Sequence, residues 1–209
     1  MRYRKSASAA LMVACMFGAA TVTATAAAHP RTTSSEATAV SAVLTQTAVN
    51  PVDAEFVSMM IPHHYQALIM SRMVPERSAN EDVRALARRI DIEQNVEIGS
   101  MQAWQSWNGL EVTDPQEAYE ALLDDPMHLE HMGMATPEEL EDLSAAEGTA
   151  FDVLFLQLMI EHHQGAVDMA TDVLINGSDA DLQQMATDML TTQYTQILQM
   201  EAMLADMTS

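Results

Sequence analysis

Two stretches of sequence decide the fold, MMIPHHYQALIM at residues 59–70 and LMIEHHQGAVDM at residues 158–169. Each places two adjacent histidines in a mostly apolar, methionine-rich run. With a shift of 99 residues, residues 53–104 align with residues 152–203 without a gap, and 15 of the 52 positions are identical. Identity over that length at one fixed offset indicates an internal duplication, so the chain is predicted to contain two copies of one structural unit.

The duplicated unit is predicted to be a helical hairpin. Helical patterning covers four segments, with the turn sequence VPERSAN between the first pair and NGS between the second pair. The four predicted helices are residues 53–74, 81–107, 149–175 and 178–206. Each hairpin would expose an apolar stripe that the other can cover. The pattern therefore predicts an all-α fold, a four-helix bundle made from two duplicated hairpins.

The segments around the hairpins complete the predicted organisation. Residues 29–50 are rich in Ser, Thr and Ala, which predicts a flexible leader. The bundle domain is predicted to span residues 51–209. It would hold a hairpin at 53–107, a connector of short helices and loops at 108–148, and a hairpin at 149–207. Asp114 and Thr136 each precede a proline and are predicted to start short helices.

The first 28 residues have the pattern of a secretory signal peptide. Arg2, Arg4 and Lys5 precede an alanine-rich apolar run that is too short for a convincing membrane span, and small residues follow. Apolar sequence continues well beyond Cys15, which disfavours a lipid anchor there. We therefore expect an exported protein, periplasmic or extracellular, without a membrane span.

Charge and cysteine content narrow the function further. Removal of residues 1–28 would leave six basic residues against 30 acidic ones, a formal charge of −24. Such a surface repels nucleic acid and anionic lipid and concentrates cations. The chain's one cysteine would leave with the signal peptide, so neither disulfides nor thiolate chemistry are expected in the mature protein.

The shared residues of the first helix fall mainly on one face. On a helical wheel the small Ala67 lies near the centre of this face, with His63 and His64 on its flanks, while Ile61 falls outside it. The second helix of the hairpin turns Gln94 towards an otherwise apolar stripe. Burial of an unpaired amide is costly, so Gln94 is expected to meet an imidazole or a bound ion on the facing helix.

Thioether and imidazole side chains together predict a metal site. This donor set suits Cu(I) or Ag(I) best, and a histidine-rich version also accepts Cu(II) or Zn(II). A further cluster, MHLEHMGM at residues 127–134, adds the same residue types in a predicted loop. The predicted metal ligands are Met60, His63, His64, Met70, Met101, Met159, His162, His163, Met169, Met200, His128, His131, Met132 and Met134.

Three segments, FVSMMIPHHYQALIMSRMV, IEQNVEIGSMQAWQSWNG and MGMATPEELEDLSAAEGTAFDVLFLQLMIEHHQGAVDMA, resemble a bacterial ferritin-like family, domain-of-unknown-function family three hundred and five. The resemblance covers residues 53–203 and implies an exported four-helix bundle, with copper or silver bound through Met and His in some members. It also implies supporting roles for Gln94, Glu97 and Gln193. This chain departs from the family pattern at Gln196, where the second hairpin more often has Glu.

The leading hypothesis is an exported protein that buffers copper or delivers it to another copper-handling protein. Two other functions compete with this hypothesis. The first is a metal-free helical interaction bundle, which could be homo-oligomeric, with methionine as core filler and histidine as hydrogen-bonded or pH-responsive core. The second is a ferritin-like oxidase. Di-iron bundles need Glu-x-x-His, and no histidine in the chain has Glu three residues before it, so an enzyme is disfavoured.

Overall fold

The computed structural model describes residues 48–208, which form seven α-helices and contain no strand. The predicted signal peptide and most of the predicted leader lie outside the described residues. The helices are α1 (Pro51–Arg77), α2 (Glu81–Trp107), α3 (Pro115–Leu122), α4 (Pro126–His131), α5 (Pro137–Ala145), α6 (Gly148–Asn176) and α7 (Ala180–Thr208). The predicted all-α class is confirmed. None of the helices in this range is long and apolar enough to cross a membrane.

Local sequence sets the helix starts. The Asn50 side chain accepts the Val52 amide hydrogen at the start of α1. Thr136 and Glu139 form the predicted capping box at α5. The bounds of α2 agree with the prediction, and those of α1, α6 and α7 differ from it by at most three residues. The prediction of a loop at 127–134 is wrong for residues 127–131. Residues 126–131 form α4, because Asp125 caps a proline-led turn there.

The long helices pack as two hairpins. α1 lies along α2, α6 lies along α7, and α1 and α6 face each other. The start of α1 meets the end of α6, because the Asp53 carboxylate accepts the Ser178 and Asp179 amide hydrogens at 3.1 and 2.9 Å. α1 and α6 are therefore antiparallel. α2 and α7 also meet, since the Gln196 side-chain amide donates to Glu93 at 2.6 Å.

The core consists of two large apolar clusters at opposite ends of the long helices. One contains Phe56, Met60 and Met101, while the other contains Met70 and Met159 with the aromatic rings of α6. The histidine doublets lie in sequence between the parts of α1 and α6 that supply these clusters. α1 is buried on nearly all sides at this level. Ile61, which the wheel placed off the shared face, is 0% exposed and belongs to the same apolar cluster as Met60 and Met101.

The connector between the hairpins lies across α1 and α6. The Gln66 side chain binds the backbone of Ala135 twice, accepting its N–H at 2.8 Å and donating to its carbonyl at 2.7 Å. A side chain at Gly165 would collide with the Met132 carbonyl, and one at Gly133, whose φ is 67°, would collide with the backbone of α6. Two glycines therefore permit the connector backbone to approach α6 closely.

We predict that Gly165→Ala destabilises the fold by about 1–3 kcal/mol, because the new methyl group meets backbone rather than a movable side chain. Gly99→Ala is the matched control. It lies in α2 with open space around the position, and there alanine should stabilise by about 1 kcal/mol through helix propensity. Urea unfolding of both variants checks the opposite signs. Equal stability of the two variants would contradict the close approach.

The duplication supplies a second pair of equivalent residues, Asp53 and Asp152, whose substitutions can be compared. Asp53 binds the α6–α7 turn, whereas the equivalent Asp152 Oδ1 has no hydrogen-bond partner among residues 48–208. We predict that Asp53→Ala lowers the free energy of unfolding by about 1–3 kcal/mol, because the partly buried amide hydrogens of the turn lose their acceptor. Asp152→Ala should cost clearly less. Thermal unfolding of the two single variants tests this, and an equal loss at both positions would contradict it.

Candidate metal site

The two histidine doublets meet at the interface of α1 and α6. All four histidine side chains, at residues 63, 64, 162 and 163, are 0% exposed. The rings of His63 and His162 lie face to face, with centroids 3.7 Å apart and planes tilted by 32°. His64 and His163 lie further out, each 6.1 Å from the ring of its neighbour in the doublet. The duplication thus places four imidazoles side by side in the protein interior.

The inner pair is held by backbone carbonyls. His63 Nε2 lies 3.1 Å from the Met132 carbonyl, and His162 Nε2 lies 2.9 Å from the carbonyl of His63 itself. A carbonyl oxygen can only accept, so Nε2 carries the proton in both rings. The connector supplies the acceptor for one histidine and α1 supplies it for the other. The inner pair is therefore not strictly symmetric.

The outer pair is held by side chains 33 residues further along the chain. His64 Nε2 donates to the Glu97 carboxylate at 2.7 Å, and His163 Nε2 donates to the Gln196 amide oxygen at 2.7 Å. The Gln196 amide nitrogen donates in turn to Glu93 at 2.6 Å, which orients its oxygen towards the histidine. Gln196, the departure from the family pattern, thus fills the same place as Glu97, and α2 supplies the carboxylate one bond further away.

These bonds leave the same atom available in every ring. None of the four Nδ1 atoms has a hydrogen-bond partner of acceptable geometry within the described chain, although all four are buried. Since Nε2 carries the proton, each Nδ1 holds a lone pair. A histidine that binds a metal usually donates its other ring N–H to a carboxylate or carbonyl oxygen. The four imidazoles have this arrangement, so the chemistry of the donor set fits a metal ion.

His, Cys, Asp and Glu side chains alone do not form a complete metal site in the described residues. In the range 48–208, no three His, Cys, Asp or Glu side chains converge closely enough to hold a metal ion. An ion at the doublets would therefore need additional ligands, and thioether sulfur is the nearest type in sequence. Met60 and Met159 each precede a doublet by about one helical turn and are 0% exposed.

Burial keeps three of the histidines uncharged. Loss of hydration lowers the pKa of His63 and His162 well below the ordinary value, and the neighbouring imidazoles lower it further. Burial also lowers the pKa of His163 to about 4, partly offset by its bond to Gln196. Neutral imidazole is the form that binds metal ions, so these rings present their lone pairs at neutral pH.

The imidazole expected as a partner for Gln94 is not found in the described chain, and the bound ion, the other expected partner, stays a prediction. Neither its amide oxygen nor its amide nitrogen bonds to an imidazole or to any other group in the described residues, although the side chain is only 2% exposed. The imidazole on the facing helix is taken by Glu97 instead. Gln193, the duplicate of Gln94, likewise has no partner for its Oε1 in the part of the chain described. Two buried amide oxygens therefore accompany the four Nδ1 atoms.

The predicted methionines divide among three places. Met60 and Met101 lie together in one large cluster, and Met70, Met159 and Met200 in the other, all of them 0% exposed. Met169 is half-buried and packs beside the connector. Met70 and Met169 are duplicates by sequence but differ in surroundings, because Met70 lies inside a large apolar cluster whereas Met169 packs beside the connector.

The cluster at 127–134 is dispersed. Met127 is 81% exposed, His131 is exposed and His128 is half-buried. Met132 and Met134 are buried with Tyr119 and Leu129 in a third apolar cluster. The structure brings His128, His131, Met132 and Met169 to one surface pocket, from which Met134 is absent.

Sequence reasoning missed Glu93 and Gln196 in the histidine network. The separation of 33 residues in both hairpins could have identified Gln196, because the duplication maps Glu97 onto it. Glu93 has no such signal. Its role depends on the contact between α2 and α7, which only the packed helices show.

Solved structures give close matches to this fold. A DUF305 fragment from Deinococcus radiodurans is 32% identical with a TM-score of 0.67, covering 76% of this chain and 98% of its own. A DUF305 protein from Streptomyces coelicolor, named as a candidate secreted protein, is also 32% identical, with a TM-score of 0.65 and coverages of 76% and 94%. Among proteins with curated descriptions, no significant match is found.

CopM, a further similar protein, has been solved with metal bound. Its Cu(I)-bound form is 28% identical to this chain with a TM-score of 0.59, and covers 74% of this chain and 96% of its own. CopM is also known in Cu(II)-bound and Ag-bound forms. The family model described as "Domain of unknown function (DUF305)" matches residues 53–204. The chain therefore belongs to the DUF305 family.

Proposed function

We propose that this protein is an exported copper-binding protein that buffers or carries Cu(I), with Ag(I) as a chemical substitute. The observation that carries the proposal is the set of four buried imidazole Nδ1 lone pairs, each opposite an Nε2–H that donates to an oxygen. Unpaired buried lone pairs are costly unless a ligand uses them. A metal ion is the ligand whose chemistry matches imidazole nitrogen.

The choice of a soft ion follows from the donors. Hard ions favour several carboxylates around one point, and no three Asp, Glu, His or Cys side chains of the described residues converge in that way. The methionines next to the doublets offer sulfur, which suits monovalent copper and silver. Copper and silver bound to CopM, a structural relative, support the same choice.

The architecture and location belong to the same proposal. The contacts of α1 with α2 and α6, and of α7 with α6 and α2, support a ferritin-like four-helix bundle. The signal-like residues 1–28 and the name of the Streptomyces coelicolor relative support export. An acidic surface outside the cytoplasm would attract copper without competition from a cytosolic thiol pool.

Replacement of all four doublet histidines by glutamine tests the proposal. We expect the variant to lose Cu(I) in anaerobic competition with a chromogenic chelator, with affinity for its tightest ion lowered at least about 100-fold. Phe151→Leu is the matched control, because it perturbs a fully buried side chain of the core without removing a donor atom. Circular dichroism of both variants establishes that they remain helical.

Two results would contradict the proposal. Wild-type affinity in the glutamine variant would remove the doublets from metal binding. Failure of the wild-type protein itself to compete for Cu(I) would remove copper as the ligand, and the histidines would then be structural.

The low histidine pKa values favour a second candidate function, a metal-free bundle that responds to acid. It rests on the same buried rings and predicts that copper leaves the melting temperature unchanged. The copper proposal predicts stabilisation, because an ion that binds only the folded state adds its binding free energy to stability. Thermal unfolding of the protein with and without Cu(I) separates the two.

Acid should destabilise the metal-free protein in either case. Below pH 6.5, the ordinary pKa of histidine, the unfolded chain binds protons at these histidines. In the folded protein the buried His63, His162 and His163 stay unprotonated, so acid favours the unfolded state. For His163 the decrease in the free energy of unfolding is complete only near pH 4, and it amounts to about 3 kcal/mol. Urea unfolding at pH 7.5, 6, 5 and 4.5 would measure the decline, with His163→Gln as the control that should show a shallower one. Equal slopes would contradict the burial effect.

A further inference from the structure

A surface pocket of about 380 Å³ lies between the first half of α1, the second half of α6 and α4. Three thioethers line it, those of Met59, Met132 and Met169. Two imidazoles, of His128 and His131, line the same pocket from α4. Soft sulfur and nitrogen donors from three separate helices therefore meet in one cavity that is open to solvent.

We propose that this pocket is a second binding site for a soft monovalent metal ion, Cu(I) or Ag(I), and the place where the ion first binds. The doublet histidines are 0% exposed, so an ion cannot reach them without local opening of the structure. The pocket donors are reached directly. The identity of the ion follows from the proposed function, and the inference rests on that function in this respect. The residues of the pocket are separate from the histidine doublets.

The duplication shows that packing alone does not require sulfur at this place. The duplicate of Met59 is Leu158, which is 5% exposed and belongs to the apolar core. The second hairpin therefore has leucine where the first hairpin places methionine at the pocket. The duplicate of Met169 is Met70, which is fully buried, whereas Met169 is half-buried at the pocket. Half-buried thioethers appear where the connector leaves a cavity.

Three carboxylates, of Glu55, Asp168 and Asp172, also line the pocket. They do not form a cage for a hard cation, since no three His, Asp or Glu side chains converge on an ion position in the described range. One Asp172 oxygen already accepts from Asn176 at 2.7 Å. Their contribution is a negative potential that concentrates cations at the mouth, while sulfur and imidazole provide the selectivity for a soft ion.

The pocket adjoins the buried site through one residue. Met132 lines the pocket, and its backbone carbonyl accepts a hydrogen bond from His63 Nε2 at 3.1 Å. Gly165, on the pocket wall, permits this approach because a side chain there would strike the same carbonyl. An ion in the pocket would therefore lie next to the connector residue that holds the inner histidine pair.

Silver titration of the full chain carrying ¹³C-methyl methionine tests the pocket, because Ag(I) is diamagnetic and each thioether methyl reports its own ligand. We expect the Met59 and Met169 signals to shift at the first additions. Met59→Leu with Met169→Leu should weaken the first Ag(I) at least about tenfold. Leucine is close in volume to methionine, so the fold should be retained.

Met73→Leu with Met203→Leu is the matched control, since both side chains are half-buried against the opposite core cluster. It should leave the first Ag(I) unchanged. The four-glutamine doublet variant separates the two ideas, because in it the Met59 and Met169 signals should still shift. If Met60 and Met159 shift while Met59 and Met169 do not, the pocket inference is overturned and the proposed function stands. If no methionine signal shifts in any protein, both are overturned.

Discussion

The structure depends on the burial of four imidazoles at the contact of α1 and α6. Each ring can be buried because its Nε2–H meets an oxygen, from the connector, from α1 itself, or from a side chain on the hairpin's second helix. The His162 bond to the His63 carbonyl joins the two hairpins, and the His63 bond to the Met132 carbonyl joins the first hairpin to the connector. The Nε2–H bonds also fix the tautomer, which leaves every Nδ1 with a lone pair directed into the protein.

The duplicated helices correspond to within two residues at each end, but the chemistry of the two copies differs. Glu97 and Gln196 accept hydrogen bonds from equivalent histidines at the same distance. Glu97 is a carboxylate, whereas Gln196 is an amide that donates in turn to the Glu93 carboxylate. Asp53 binds the turn of the other hairpin, whereas Asp152 Oδ1 has no such bond in the described residues. One connector cannot cover two equivalent faces. It lies over one side, and the open pocket with its half-buried methionines is found on that side.

Much of the site was predictable where local pattern and duplication carried the information. Helical spacing placed the doublets, Glu97 and the methionines on helix faces, and the structure shows that all four histidines and most of these methionines are buried in the core. The imidazole partner expected for Gln94 was not found in the described residues, because a helical wheel shows which residues share a face but not which of two neighbouring polar groups reaches the imidazole. The helix at 126–131 was missed because its few residues lack a measurable apolar period.

The sequence by itself determined the helical class, the paired hairpins and the residue types of the proposed metal site, because these depend on spacing along one chain. The tertiary structure decided which helix faces meet, that the rings of His63 and His162 lie 3.7 Å apart, and that Glu93 completes the network of the second hairpin. It also decided that Met59 and Met169 join His128 and His131 in one pocket. These contacts join residues far apart in sequence, and packing rather than local periodicity selects them.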